Sequence, residues 1–293
     1  MEKKIIGIGE ILWDIFPKRK VLGGAPANFA YHVSQLGFEG FVVSSVGNDP
    51  LGFEILHSLH NKHLNNLINI SDFPTGTVHV VIDQQCKPNY KICRNVAWDN
   101  IPFTEQTEQL AYESAAVCFG SLAQRNQISR KTIINFLNLV QPNCLRIFDI
   151  NLRQDFYTRG IIKQSIEHSD VVKMNEDEVI IVGKLLNLGL EEETEICMKL
   201  LKYYNLKYVI LTKGPSGSFI FSHNETSFLD SPKIQVADTV GAGDAFTAAF
   251  IASLLKGHNL RNSHQFAVDI SAYVCTKQGA MPRIPDKILH RIT

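Results

Sequence analysis

No sign of charge dominates this 293-residue chain: 29 Lys and Arg balance 29 Asp and Glu, for a formal net charge of zero. That excludes a surface built to coat a polyanion and argues against nucleic acid as a partner, while leaving room for a local basic pocket. Long apolar runs are missing as well. None approaches the roughly 18 residues of a membrane span, and no apolar signal core follows the opening Met-Glu-Lys-Lys. The cysteines (Cys86, Cys93, Cys118, Cys144, Cys197 and Cys275) form no C-x-x-C pair, so neither a zinc ribbon nor a thioredoxin-like site is indicated. Their scatter suits reduced, buried thiols, and the expectation is a cytoplasmic protein. Gly47 to Gly52 has P-loop spacing but runs on into Phe53-Glu54 rather than Lys-Ser/Thr, and Gly7-Ile8-Gly9 lacks the third glycine of a dinucleotide fingerprint. H-E-x-x-H and G-x-S-x-G are absent, and the ten histidines show no ligand spacing.

What remains is ordinary for a globular enzyme, 45% hydrophobic and 20% charged. Residues 3–9 read as a first buried strand. Thr77 to Asp83 and Tyr90 to Arg94 read as a strand and its return, joined by the polar segment Gln84 to Asn89. From about residue 115 short apolar runs alternate with helical spacing: strands near 115–119, 145–150, 170–174 and 207–212, and helices at 128–140, 243–256 and 260–276. This pattern predicts an α/β fold, a mainly parallel sheet flanked by helices. It forms a single domain over 1–293, with a small β excursion from segments near 10–20 and 75–100. Ligands of such sheets bind beyond the carboxyl ends of the strands. Glu10 and Asp14, Asp149 to Arg153, Asn175 and Glu178, and Thr212 to Gly214 are expected to collect there.

Residues 238–250, Asp-Thr-Val-Gly-Ala-Gly-Asp-Ala-Phe-Thr-Ala-Ala-Phe, carry the strongest signal. Gly241, Ala242 and Gly243 let a ligand approach the backbone, and the unpaired amides of the helix they open favour an anion. Asp244 is placed to take a proton from a hydroxyl held at the same spot, the pairing that phosphoryl transfer needs. Gly23-Gly24-Ala25-Pro26-Ala27-Asn28 reads as a tight turn into a helix, with Asn28 facing outward to bond a polyol or simply solvated. Asn175-Glu176-Asp177-Glu178 supports two readings, helix capping or a carboxylate ordering water around Mg²⁺. Lys213 to Gly217 is either a nucleotide-lining loop or a plain turn.

Taken together, the runs at Gly23 to Ala30 and Asp238 to Phe250 resemble the two signatures of the ribokinase-like (phosphofructokinase-B type) carbohydrate kinases, and the likeness extends over nearly the whole chain. Gly9-Glu10-Ile11-Leu12-Trp13-Asp14-Ile15-Phe16-Pro17, Phe119-Gly120-Ser121-Leu122 and Asp149-Ile150-Asn151-Leu152-Arg153 look most like bacterial-type fructokinases. The resemblance implies a small β-sheet lid, often a dimer interface, and ATP-dependent phosphorylation of a sugar, fructose first. Ribose, a 2-keto-3-deoxy sugar acid or a nucleoside are alternative acceptors, and a non-catalytic binding relative is the alternative in kind. It implies Asp244 as base and Gly241, Ala242 and Gly243 as anion hole. Asp14, Gly24 and Asn28 fall on the sugar, Asn175 and Glu178 on Mg²⁺ and phosphate, and Thr212, Gly214, Gly217 and Ala280 on ATP. Asp238 takes the position of a K⁺ ligand. Lys213 and Arg153 are implied phosphate contacts, and Arg94 and Trp98 are candidates for a sugar contact from the lid.

Overall fold

The computed structural model describes residues 3–82, 88–189 and 191–292; side chains are described outside 80–90 and 292. The chain opens with β1 (Lys4–Ile8), then leaves the main body through β2 (Leu12–Phe16) and β3 (Arg19–Gly23). It returns as α1 (Ala25–Gln35), β4 (Glu39–Gly47), α2 (Pro50–Asn61) and β5 (Asn65–Ser71). A second excursion, β6 (Thr77–Ile82) and β7 (Pro88–Ile92), pairs with the first. Four crossovers follow: α3 (Glu105–Glu113) and β8 (Ser114–Phe119), α4 (Gln127–Leu139) and β9 (Leu145–Asp149), α5 (Arg159–Glu167) and β10 (Val171–Asn175), then α6 (Glu176–Leu185) and α7 (Glu193–Tyr203) into β11 (Tyr208–Thr212). A hairpin, β12 (Ser218–Phe221) and β13 (Thr226–Leu229), precedes α8 (Ala242–Leu255) and α9 (Leu260–Cys275).

Among the described residues these strands form a nine-stranded sheet in the order β13-β12-β11-β10-β9-β8-β1-β4-β5 and a four-stranded sheet in the order β3-β2-β6-β7. The large sheet is parallel from β5 to β11, and β12 and β13 add an antiparallel edge. Successive strand residues point to opposite faces. Ile6, Val117 and Phe148 accordingly pack with Phe136, Val179 and Leu200 of one helical layer. Ile5, Ala116 and Ile147 pack on the other face with Phe29, Phe250 and Ile270. Both faces are covered, as a parallel sheet requires. Growth of the sheet in both directions from β1 puts a topological switch point beside that strand, so the crevice past Ile8 is where a ligand is expected.

The predicted fold class is therefore observed, with one refinement. The segment expected to contribute through residue 100 leaves the small sheet after Ile92, and residues 97–100 form a 3-10 turn whose Trp98 is fully buried in the main core. Of the predicted connection Gln84 to Asn89, residues 84–87, Cys86 among them, lie outside the described residues, as does Asp83, while Pro88 and Asn89 already belong to β7.

Candidate active site

The start of α8 is set by glycine. Gly241 caps the helix at φ 77°, left-handed, and a Cβ there would come within 2.6 Å of that of Ala280. Any other residue would meet both backbone strain and collision. Three residues on, Asp244 lies in the first turn, where the helix dipole favours a negative charge. Its Oδ2 accepts a 2.7 Å hydrogen bond from Asn28 Nδ2.

That contact corrects the outward placement of Asn28. Helix α1 is covered by β1 and β4 on one side and by α8 on the other, so Pro26 through Val33 are all buried and Asn28 is 4% exposed. The turn before it also needs glycine: Gly24 has φ 115°, and a Cβ would come within 2.4 Å of the Glu10 carbonyl oxygen.

Asp14, expected past the first strand and within the small β excursion, lies there. It sits mid-strand in β2, opposite Val21, with its carboxylate over Gly23, where a Cβ would come within 2.5 Å. Burial pushes the Asp14 carboxyl up to about 6, against the pull of Arg153. Glu10, to which sequence reasoning gave no role, is 3% exposed and is pushed to about 7, chiefly by burial and further by Asp244, with Arg153 opposing. Asp244 itself rises to about 6, through burial and then Asp149, opposed by Asn28, Lys173 and Arg153. Glu10 Oε2 and Asn28 Oδ1 are buried without a hydrogen-bond partner. Both are acceptors, and both are left in want of a donor.

Behind the loop stands an ion pair that sequence reasoning missed. Lys173 Nζ lies 2.9 Å from each Asp149 oxygen, and Thr247 Oγ1 donates to Asp149 Oδ2 at 3.0 Å. Burial works against the Lys173 charge, but Asp149 and Glu178 outweigh it and hold the ammonium protonated. A Cβ on Gly243 would sit 3.1 Å from that ammonium, so the positive charge lies directly beneath the helix-start amides. A lysine inside the apolar run Val171-Val172-Lys173-Met174 was the available signal.

Asn175 and Glu178 form a capping box on α6: Asn175 Oδ1 accepts from the Asp177 and Glu178 amides, and Glu178 Oε2 accepts from Asn175 N at 2.9 Å. Glu178 Oε1 takes the Leu152 amide at 2.8 Å. With each oxygen occupied and the side chain 6% exposed, Glu178 ties the loop after β9 to the start of α6 and is not shaped for direct metal coordination. Among the described residues no group of three His, Cys, Asp or Glu side chains converges as a metal site.

A cavity of about 580 Å³ opens on the other side of the α8 start. Asn175, Thr212, Gly214 and Gly217 line it as predicted, together with Ala242 and Gly243, and sequence reasoning missed Phe246 and Val268 of its apolar wall. Its size suits a nucleotide. Ala280 is not on this wall; it is 2% exposed and buttresses Gly241 instead. Asp238 joins two loops, accepting from Val240 N and Gly279 N, each at 3.1 Å. Lys213 is drawn off to Glu193. Arg153 is exposed, bonds the Leu152 carbonyl, and its charge draws down the carboxyls of Glu10, Asp14 and Asp244. The contacts expected of the small sheet also differ: Trp98 is capped by the Arg125 guanidinium 4.0 Å from its ring, and Arg94 lies over Phe156 and pairs with Asp155.

Known proteins share this architecture. An uncharacterized sugar kinase of Pyrococcus horikoshii is 30% identical, with 94% of this chain and 91% of that protein covered. Its crystal structure in complex with ATP superposes with a TM-score of 0.82 at 28% identity, covering 99% of this chain and all of that one. An ATP-dependent 6-phosphofructokinase of Thermoanaerobacterium thermosaccharolyticum is 29% identical over 96% of this chain and 91% of its own length. A fructokinase of Salmonella typhimurium is 25% identical over 97% of each chain. The model of the pfkB family of carbohydrate kinases matches residues 18–287, and the chain belongs to that family.

Proposed function

We propose that this carbohydrate kinase transfers the γ-phosphoryl group of ATP to a hydroxyl of a small sugar, with fructose, giving fructose 6-phosphate, as the leading acceptor. The carrying observation is the position of Asp244: bonded to Asn28 on one side, and one residue beyond Gly243, which lines the cavity on the other. A carboxylate with a pKa of about 6 is ionised at neutral pH yet basic enough to accept a hydroxyl proton as the oxygen attacks. The Gly243 amide, backed by Lys173, faces the charge on the transferred group, while the Ala242 amide donates to the Thr239 carbonyl at 3.3 Å. Glu10 Oε2 and Asn28 Oδ1, acceptors without donors, suit a ligand rich in hydroxyl groups.

ATP occupies the cavity in this reading, and the structure of the Pyrococcus relative with ATP supports it. Mg²⁺ rides on the phosphates and water rather than on a protein cage, in keeping with its slow dehydration, and Asn175 is the cavity-lining residue nearest in role. Asp238 shapes the loops at 238–240 and 279 for K⁺. The small sheet acts as a lid and as the face of a homodimer, and the enzyme works in the cytoplasm.

A second reading is favoured by Arg153, a cation acting on the three raised carboxyls, and by the 29% identity to the 6-phosphofructokinase. In that reading the acceptor carries an anionic group.

ADP release measured with fructose, fructose 6-phosphate, ribose, glucose, a 2-keto-3-deoxy sugar acid and a nucleoside decides between them. Fructose is expected to win, with no turnover in excess chelator and faster turnover in potassium than in sodium. Preference for fructose 6-phosphate or the sugar acid selects the second reading; no turnover with any sugar rejects the kinase.

A further inference from the structure

Three side chains of α1 share one face: Asn28, His32 and Gln35, at the four- and three-residue spacing that aligns neighbours on a helix. Asn28 reaches Asp244. His32, fully buried, points Nε2 at the Ala280 carbonyl, 2.9 Å away. Gln35 donates to the Pro282 carbonyl at 3.3 Å and accepts from Ile284 N at 2.8 Å. Lys62, just past α2, takes the intervening Met281 carbonyl at 3.3 Å. The carbonyls of three consecutive residues, 280 to 282, are thus each held by a different side chain.

The tautomer of His32 follows from its surroundings. Nδ1 is buried without a partner, so the proton sits on Nε2, where the Ala280 oxygen accepts it. Ala280 in turn is the wall against which Gly241 closes, and the neighbouring Gly279 amide is held by Asp238. A shift of Ala280 therefore reaches Gly241, the residue whose left-handed turn seats the Ala242 amide on the Thr239 carbonyl at 3.3 Å and aims the Gly243 amide.

We infer that His32 is a positioning residue for the start of α8: through its bond to Ala280 it fixes Gly241, and with it the Gly243 amide that receives the transferred phosphoryl group. One α1 face then sets both partners of the reaction, the base through Asn28 and the anion site through His32. The consequence for turnover rests on the kinase reading above; the structural link does not.

Two measurements on His32→Leu, His32→Gln and Gln35→Ala test this. In hydrogen–deuterium exchange, which needs no activity, His32→Leu should raise exchange over 236–244 and 277–282 and leave β9 and β10 unchanged. His32→Gln, which keeps a donor at similar reach, should restore protection. In kinetics, His32→Leu should lower kcat about ten- to a hundredfold, as small misplacements of reacting groups do, with the acceptor KM within about threefold because Asn28 and Asp14 are untouched. Gln35→Ala loosens the far end of the same segment and should lower Tm without lowering kcat. Unchanged protection over 236–244 in His32→Leu overturns the proposal. So does an equal fall of kcat in Gln35→Ala at equal loss of Tm, since His32 would then be merely structural. If His32→Leu does not fold, His32→Asn, too short to reach Ala280, takes its place against His32→Gln. If the wild type phosphorylates no sugar, the kinase reading fails and the exchange data alone decide the link.

Discussion

On one side of Gly243 the polar groups are side chains: Glu10, Asp14, Asn28 and Asp244, with three carboxyls raised by burial and two acceptor atoms left without donors. On the other side lie mostly backbone and apolar surface: Gly214, Gly217, Ala242, Phe246 and Val268 around a 580 Å³ cavity. The first side stores unfavourable electrostatics, which in the proposed function a polyol donor relieves. The second offers shape and a helix start, which in the proposed function suit an anion and a flat base without costly charge burial. Substitutions on the two sides should therefore separate cleanly in kinetics.

The strongest test removes the one residue that both sides need. Asp244→Asn is nearly isosteric and keeps a contact to Asn28, yet it cannot take a proton. The expected loss in kcat is about 10²–10⁴-fold, with ATP affinity by calorimetry close to wild type. Near wild-type kcat would remove Asp244 from the role of base. Next in size is Asp14→Ala. Loss of a hydrogen bond to a charged group costs about 1.5–3 kcal/mol, so kcat/KM for the acceptor should fall roughly ten- to a hundredfold while the ATP KM holds. A change confined to the ATP term would move the sugar site away from β2. The mirror experiment is Ala272→Phe, which puts a ring into the cavity wall. Overpacking costs about 1–3 kcal/mol, so the ATP KM should rise about tenfold, with the acceptor KM unchanged at saturating ATP. A rise in the acceptor KM instead would break the division of the site.

This division also governs what the sequence made legible. The nucleotide side depends on glycines and on a helix start, both local in the chain, and the run at 238–244 displayed them. The strands at 114–119, 145–149, 171–175 and 208–212 were equally plain because each is a short apolar run buried on both faces. Strand β5, Asn65–Ser71, escaped notice because as an edge strand it is polar and largely exposed. The hairpin of β12 and β13 has four residues to a strand, too few for a pattern. The Asp149–Lys173–Thr247 cluster joins three distant elements, and no local spacing announces such a meeting. Asn28 was misread because a polar residue early in a helix suggests solvent; only the packing of α8 over α1 shows otherwise. Trp98 misled in the opposite way, an aromatic near the small sheet that is stacked under Arg125 and closed to ligands.

The smallest expected effect is on stability, and it isolates the electrostatic strain of the acceptor side. Asp14 and Asp244 move from 3.8 to about 6 and Glu10 from 4.5 to about 7. A carboxyl whose folded pKa lies above its unfolded value holds its proton more tightly in the folded state. Between pH 4 and 7, roughly, the folded chain then binds more protons than the unfolded one, and stability falls as pH rises through that window. This is the reverse of the usual paired carboxylate, which stabilises the fold above its unfolded pKa. Asp244→Asn removes one such group without adding a charge. It should therefore raise the stability of the ligand-free protein at pH 8 by an amount on the order of 1 kcal/mol, and flatten the decline from pH 5 to 7. Thermal unfolding of wild type and variant at pH 5, 6, 7 and 8 reads this directly. The same scan on Ala272→Phe should show no change in pH slope, because that substitution removes no ionisable group. A variant less stable than wild type at pH 8 would mean that Asp244 is held by its partners more strongly than burial strains it, and the contrast between the two sides would then lie in shape alone.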